Sequence, residues 1–342
     1  MHLIPHELEF SPPLLEMSIL ENKMFDTPFN TRILDYFAHP GRGIIETIDE
    51  IHGNNAGEFI SDKIFSFSYK QSPESLEALK YAGDCMLSCT STCDCDYQTP
   101  FLTEHMKNWT VEKSNLPDIL EYKLPEVMYF HHGLRFQSQK IKDYIRDKDI
   151  LDIGACSGDS ALVLSNYTNK YVYSYEISKR YVETAQELFW YFNLENKVQI
   201  FLKGMSNKVA TIQVTDEHSL GGSIDHQIHN NPWVDIYDLP ITTIDKEARL
   251  LKLNVGFIKA DVEGLGLTVL KGGRKTILKH RPVIVLASYH SYEEFFGFPD
   301  FLYSLPNYLF EFNNENNYYS TFHEIGIFAY PAEIFYPKYY ED

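Results

Sequence analysis

A turn with two glycines follows a short apolar run near the middle of the chain. Residues 152–160 read DIGACSGDS, with the glycines at 154 and 158. Glycine has no side chain, so polar groups of a ligand can approach backbone amides there, and the start of the following helix adds a partial positive charge. Cys156 replaces the middle glycine of the G-x-G-x-x-G loop that makes room for a pyrophosphate. The wider turn favours a ligand with an amino-acid moiety. The residues expected to contact it are Asp152, Gly154, Ala155, Cys156, Gly158, Asp159 and Ser160.

Glu176 ends the next predicted strand, 18 residues beyond the second glycine. An acidic side chain at this place can accept hydrogen bonds from both hydroxyls of a ribose. Either signal alone would be weak, because a turn with glycines is often only a connection and a strand-end glutamate is usually solvated. Together they predict a nucleoside-containing cofactor, and S-adenosylmethionine (SAM) suits the turn better than NAD does.

A third group, KADVEG at residues 259–264, follows a later predicted strand. Ligands of open α/β sheets bind beyond the carboxyl ends of the strands, so Asp261 and Glu263 are predicted to face the cofactor and the reacting groups. A carboxylate there can orient the cationic end of the cofactor, accept a proton or hold a divalent ion. The alternative is that Asp261 only caps the next helix and Glu263 is solvated. Lys259 is predicted to pack or to pair with a carboxylate.

Two more side chains are candidates for catalysis beside Asp261. His290 follows another predicted strand, and the ordinary pKa of histidine suits it to take a proton near neutral pH. Its alternative role is that of a hydrogen-bonded structural residue. Asp245, in the segment ITTID, is a candidate for contact with the acceptor, and helix capping by Thr243 or Asp245 is the alternative.

Four cysteines lie close together with the spacing C-x3-C-x3-C-x-C: Cys85, Cys89, Cys93 and Cys95. Four neighbouring thiols could bind zinc or an iron–sulfur cluster. The spacing matches neither the zinc C-x2-C pairs nor the radical-SAM C-x3-C-x2-C loop, so reduced structural thiols or one disulfide are expected, and no metal. His131 and His132 are predicted to be surface or interface residues.

Strands and helices alternate from about residue 121, which predicts an α/β fold with a parallel sheet covered by helices on both faces. Two closing strands with no helix between them predict an antiparallel pair at the sheet edge. Residues 121–342 are therefore predicted to form a seven-stranded, Rossmann-like sheet of the SAM-methyltransferase type. Residues 1–120 lack the alternation and are predicted to be a mixed or mainly helical accessory region that covers the site or mediates dimerisation. The predicted strands are 149–153, 171–176, 198–202, 255–260, 282–287, 308–312 and 325–330, and the predicted helices are 159–165, 178–192 (capped by Ser178), 246–253, 267–279 and 292–305. Between the strand 198–202 and the segment TTID, a section that contains Gly221 and Gly222 is predicted to be less regular.

Composition limits the partners of the protein. The chain of 342 residues, 44% of them hydrophobic, is long enough to bury a large core. Its net charge of −18 repels phosphate backbones and anionic lipids, so neither nucleic acid nor a membrane is expected as a partner. The first residues lack the pattern of a secretory signal, and no apolar run approaches the length of a membrane helix. We expect a cytoplasmic protein with reduced cysteines.

Five segments carry a resemblance to a known family, in this order: DILDIGACSGDSALVL, YSYE, ITTIDKEA, FIKADVEGLGLTVLKGG and RPVIVLASYHSYEEFFGFPDFLYSLPNY. Over about residues 125–330 the chain resembles the FkbM-family methyltransferase domain. The resemblance implies a class I, Rossmann-like methyltransferase that uses SAM, commonly to methylate a hydroxyl of a sugar or natural product. Two residues depart from the family pattern: Gly266 stands where a second acidic residue is frequent, and Cys156 where asparagine is frequent.

The sequence thus predicts a SAM-dependent O-methyltransferase that acts on a small molecule or a glycan intermediate, with a homodimer as one expected state. A SAM-binding protein without turnover is a first alternative, favoured by Gly266 and Cys156. An NAD-type oxidoreductase is a second. In a third, the cysteine segment is a redox or metal-binding interaction module.

Overall fold

The computed structural model describes residues 100–217, 234–288, 290–313 and 326–336. All of them belong to one compact unit, which comprises Gln98–Tyr318 and Glu324–Asp342. The helix Pro100–Lys113 (α1) is part of this unit. The division of the chain near residue 120 stays a prediction. The cysteine segment at 85–95 lies outside the described residues. None of the helices described is long and apolar enough to cross a membrane.

Ten strands are described, in two sheets. In chain order they are β1 (Asp149–Ile153), β2 (Val172–Glu176), β3 (Val198–Leu202), β4 (Gly204–Met205), β5 (Ala210–Glu217), β6 (Val234–Thr242), β7 (Val255–Ala260), β8 (Val283–Ala287), β9 (Tyr308–Asn313) and β10 (Gly326–Pro331). Seven of them form the central sheet, in the order β3-β2-β1-β7-β8-β10-β9. The first five in this order run parallel, and β10 is antiparallel to both of its neighbours. The predicted seven-stranded sheet with an antiparallel edge pair is confirmed.

The direction in which the chain winds reverses between β1 and β7. From β1 the chain proceeds to β2 and β3 on one side, and from β7 it proceeds to β8 on the other. In open α/β sheets the crevice for a ligand lies at such a reversal, beyond the carboxyl ends of the strands. The strands β1, β2 and β7 are buried along their whole length, as strands covered by helices on both faces must be.

Helices flank this sheet and follow the predicted pattern closely. After α1 they are α2 (Pro125–Met128), α3 (Gln139–Ile145), α4 (Asp159–Leu164), α5 (Lys179–Tyr191), α6 (Ile244–Leu250), α7 (Gly266–Gly272), α8 (Arg274–His280) and α9 (Tyr292–Tyr303). The predicted cap of α5 is present, because the Ser178 side chain accepts from the Tyr181 amide at 3.3 Å. The single helix predicted over 267–279 is two helices, because Gly273 departs from helical geometry, with φ of −106° and ψ of 1°.

A second, three-stranded sheet in the order β4-β6-β5 was not predicted. We expected an irregular segment here, and that expectation is wrong. The sheet has its own small core of Val214, Leu239 and Ile241. The two glycines at 221 and 222 lie outside the described residues.

Candidate functional site

The loop from Gly154 to Gly158 turns sharply between β1 and α4. Three of its residues have a positive φ: Gly154 at 78°, Cys156 at 45° and Gly158 at 87°. The turn is closed by the Gly158 amide, which donates to Ala155 O at 2.9 Å. The amides of Gly154 and Ala155 donate to Tyr175 O at 3.0 and 3.2 Å, which ties the loop to β2.

The glycines of the loop are required by packing inside the protein. A Cβ at Gly154 would overlap the carbonyl oxygen of Asp261, and a Cβ at Gly158 would lie 2.7 Å from Cβ of Ala185 and 2.9 Å from the Phe189 ring. Packing is thus one reason for these glycines, and the approach of a ligand to the loop amides stays a prediction. The glycines allow the loop to fit between the end of β7 and helix α5.

Glu176 meets the loop directly. Its Oε2 accepts from the Cys156 amide at 2.8 Å, and its Oε1 accepts from the amides of Ile177 and Ser178 at 2.7 and 2.8 Å. The side chain is buried, and burial raises its pKa although the three amide donors oppose this. Each carboxylate oxygen has room for two donors, so Oε2, with one amide bound, keeps acceptor capacity for a hydroxyl. Contact between Glu176 and a ribose stays a prediction.

A buried ion pair supports the loop from below. Lys259 Nζ lies 3.4 Å from Asp152 Oδ1 and donates to Gly154 O at 2.5 Å, which confirms the predicted pairing of this lysine. The other oxygen of Asp152 accepts from Ser174 Oγ at 3.2 Å. Asp152 has no exposed surface, and its burial raises its pKa. The structure places Asp152 beneath the loop, away from the exposed face.

His132 is buried against the first turn of α4, so its predicted surface position is wrong. Its Nε2 lies 2.9 Å from Ser160 Oγ. Burial, together with the charge of Lys259, holds the pKa of His132 well below its usual value, so the ring is neutral. His131, His132 and Gly133 have consecutive φ values of 54°, 52° and 83°, a left-handed turn that is rare for residues other than glycine.

Asp261, Glu263 and His290 come together at the carboxyl ends of β7 and β8. His290 Nε2 lies 3.5 Å from Asp261 Oδ1 and 3.5 Å from Glu263 Oε2. Burial alone would lower the pKa of His290, but Glu294, Asp261 and Glu263 outweigh it and raise the pKa. The Asp261 amide donates to Ile153 O at 3.0 Å, so this group adjoins the loop.

Asp245 is not part of this group. It accepts from the Thr276 amide at 2.7 Å and from Thr276 Oγ1 at 2.8 Å, at the start of α8. The Thr243 side chain caps α6 by accepting from the Lys246 amide at 3.1 Å. The structure thus shows the alternative role, helix capping, and gives no contact between Asp245 and the other candidates. Among the described residues, no group of three or more His, Cys, Asp or Glu side chains is arranged to hold a metal ion.

Glu294 was missed by the sequence analysis. It is buried in the first turn of α9, and its Oε1 accepts from the Gly266 amide at 2.7 Å. The sequence around it reads as an ordinary amphipathic helix, in which a glutamate is expected at the surface. Its carboxylate lies beside Gly266, the position where an acidic residue is frequent in the family that the sequence resembles.

The groups that surround the loop suit a cationic ligand. Asp261 is partly exposed beside it, Glu263 is exposed near His290, and Glu176 is bonded to it. The positive charge of Lys259 is buried beneath the loop, where it pairs with Asp152 and donates to Gly154 O. The sulfonium and the ammonium of SAM are cations, so these residues fit that cofactor. A cavity of about 440 Å³, lined by residues such as Asp149 and Tyr171, lies near the amino ends of β1, β2 and β7 and includes none of these residues.

Comparisons with known proteins agree with this fold. Residues 152–318 match the Methyltransferase FkbM domain. The chain is similar in fold to the methyltransferase FkbM of Methylobacillus flagellatus KT, with 16% identity and a TM-score of 0.54 over 81% of this chain and 60% of that one. This chain therefore spans about 60% of the length of that relative. No curated protein sequence matches it significantly.

A more distant likeness is to the O-methyltransferase from Bacillus cereus, solved in complex with SAH. The identity is 13% and the TM-score 0.39, over 70% of this chain and 93% of that one. The score is too low to bear on function here. From the match over residues 152–318 and the shared fold, this chain carries a methyltransferase domain of the FkbM family, whose cofactor is SAM.

Proposed function

We propose that the loop between β1 and α4 binds SAM and that the protein transfers the methyl group to a hydroxyl of a sugar, a glycan intermediate or another small metabolite. The observation that carries the proposal is the convergence of the loop with Glu176, Asp261 and Glu263 at the reversal point of the sheet. Carboxylates attract the two cationic groups of SAM, whereas they would repel the pyrophosphate of NAD. An NAD-type oxidoreductase is therefore the weaker alternative.

Each side chain has a distinct role in the proposal. Glu176 Oε2 accepts from a ribose hydroxyl, while Asp261 and Glu263 hold the cationic part of the cofactor. SAM supplies an electrophilic methyl group. A hydroxyl becomes a good nucleophile only as its proton leaves, and Nε2 of His290, which adjoins Asp261 and Glu263, takes that proton. Most of the rate comes from holding the acceptor oxygen in line with the methyl group.

Binding of SAM is tested by calorimetry on the wild type, Glu176→Gln and Glu187→Gln. In Glu176→Gln, the side-chain NH2 group lies against the Cys156 amide, so two donors face each other. The glutamine side chain cannot accept from both the loop and the ribose. SAM should therefore bind at least about 10-fold more weakly, which corresponds to the loss of one charge-assisted hydrogen bond. Glu187 is exposed on α5, and its variant carries the same change of charge. Equal affinity of all three proteins would overturn the assignment of Glu176, and binding of NADH in place of SAM would overturn the proposed cofactor.

Transfer to a hydroxyl is tested with SAM that carries a labelled methyl group and a panel of sugars and hydroxylated metabolites. Label recovered as a methyl ether supports O-methylation. SAM binding without transfer to any acceptor would favour the alternative of a binding protein without turnover. The accessory role of residues 1–120, a homodimer and a cytoplasmic location stay predictions.

A further inference from the structure

Glu294 is a buried carboxylate held between two helices. It lies in the first turn of α9, where its amide donates to the capping Ser291 Oγ at 3.2 Å. Its Oε1 accepts from the amide of Gly266, the first residue of α7, at 2.7 Å. Side-chain oxygens near the starts of helices are stabilised as anions by the free amides there. Glu294 thus has a defined orientation.

The second oxygen of Glu294 faces His290. Oε2 is buried and lies 3.3 Å from His290 Nδ1, while the opposite ring nitrogen, Nε2, lies 3.5 Å from both Asp261 Oδ1 and Glu263 Oε2. The imidazole is therefore placed between a buried carboxylate on α9 and two carboxylates at the edge of the site.

We infer that Glu294 is a positioning residue: it holds the Nδ1 proton of His290 and so directs Nε2 toward the acceptor. The inference rests on the proposed function, in which His290 takes the acceptor proton. The two nitrogens of a neutral imidazole are distinct, and the hydrogen bond made by one decides which carries the proton. With the proton on Nδ1, Nε2 presents a lone pair.

The transfer then balances. The acceptor O–H bond breaks, its proton goes to His290 Nε2, and the oxygen forms a bond to the methyl carbon as the sulfur–carbon bond breaks. The products are the methyl ether, neutral S-adenosylhomocysteine and an imidazolium, which Glu294 stabilises as a counter-ion on the far side of the ring.

Gly266 makes this arrangement sterically possible. A Cβ at position 266 would lie 2.7 Å from Glu294 Oε1 and 2.7 Å from the Phe298 ring. Any larger residue would displace the carboxylate that faces His290. The departure from the family pattern at 266 is thus coupled to Glu294, because a side chain at 266 would need the space that Glu294 Oε1 occupies.

The test follows the His290 ring by NMR in the protein labelled with 15N-histidine, without cofactor or acceptor. The chain has 13 histidines, and the His290 signals are assigned by their loss in His290→Gln. We expect the neutral ring to carry its proton on Nδ1 and to titrate above the ordinary pKa. Glu294→Gln offers a donor to Nδ1, so the proton should move to Nε2 and the titration midpoint should fall by about one pH unit or more, as for the loss of a nearby charge. Asp300→Asn makes the same change of charge at an exposed position of α9, and it should change neither the tautomer nor the titration midpoint of His290.

Two results would overturn the inference: the wild-type proton found on Nε2, or an unchanged tautomer and midpoint in Glu294→Gln. The first needs no variant and so holds even if Glu294→Gln does not fold. Calorimetry with SAM on the wild type is a separate readout. A wild type that binds no SAM contradicts the proposed function while leaving the NMR outcome for the Glu294 and His290 pair intact.

Discussion

Lys259 Nζ and Asp152 Oδ1 lie 3.4 Å apart beneath the loop that follows β1, and both side chains are buried. Burial alone would lower the pKa of Lys259, but Asp152, Asp261 and Asp159 outweigh it and raise the pKa. The lysine therefore stays charged at neutral pH, and through its bond to Gly154 O it joins β7 to the first residue of the loop.

The first prediction concerns this pair. Lys259→Met leaves a buried carboxylate without its counter-ion, so the free energy of unfolding should fall by about 3–5 kcal/mol in urea denaturation. The double variant Lys259→Met, Asp152→Asn removes both charges and should recover much of the loss. If the losses of free energy in Lys259→Met and Asp152→Asn simply add in the double variant, coupling between the two side chains is contradicted.

The second prediction distinguishes the cost of a steric clash from the cost of backbone strain at a positive φ. Gly154→Ala should destabilise the protein by more than about 3 kcal/mol, because the new Cβ overlaps the Asp261 carbonyl in addition to the strain of a positive φ. Gly264 also has a positive φ, of 92°, but the nearest atom to a Cβ there is 3.7 Å away, so Gly264→Ala should cost only about 1 kcal/mol. Thermal and urea unfolding of both variants measure the difference. Equal losses would mean that the loop can move away from Asp261.

The third prediction concerns Asp159, which is buried at the start of α4. Burial raises the pKa of Asp159 to about 6, although Lys259 opposes this. A carboxyl group with a raised folded pKa favours folding below its unfolded pKa of about 4, and this contribution is lost as the pH rises through about 6. Asp159→Asn should therefore gain about 3 kcal/mol of stability over the wild type between pH 4 and pH 7. Urea unfolding at several pH values measures the gain, and a stability difference that does not change with pH would refute it.

The fourth prediction concerns the contact between His132 and Ser160. Ser160→Ala removes the group that lies 2.9 Å from the buried His132 Nε2, so about 1–3 kcal/mol of stability should be lost. Ser114 bonds a backbone carbonyl at an exposed place, and Ser114→Ala should change stability by less than about 0.5 kcal/mol. Denaturation curves that coincide for the two variants would show that the His132 contact adds nothing.

Most of the central sheet could be predicted because its strands are short apolar runs that alternate with helices. Asp149–Ile153 and Val255–Ala260 were predicted with the bounds that the structure gives. The three-stranded sheet was missed because only one face of it has a core. Val214 and Leu239 are buried, but their neighbours Gln213 and Asp238 are exposed polar residues of a kind common in loops.

The site was predictable where residues follow strands and unpredictable where contacts join distant segments. Glu176 ends β2 and Asp261 directly follows β7, so their meeting with the loop follows from the order of the sheet. The burial of His132 depends on a left-handed turn of two histidines, which residue type does not indicate. Glu294 is buried only because Gly266, 28 residues earlier, leaves space for it.

Cys156 places a thiol in the loop that is proposed to hold a methylating agent. Sulfur is methylated chiefly as the thiolate, and burial raises the pKa of Cys156 to about 12. At neutral pH the thiol of Cys156 therefore stays protonated. In the proposed SAM site, the protonated thiol of Cys156 would therefore compete poorly with the acceptor hydroxyl for the methyl group.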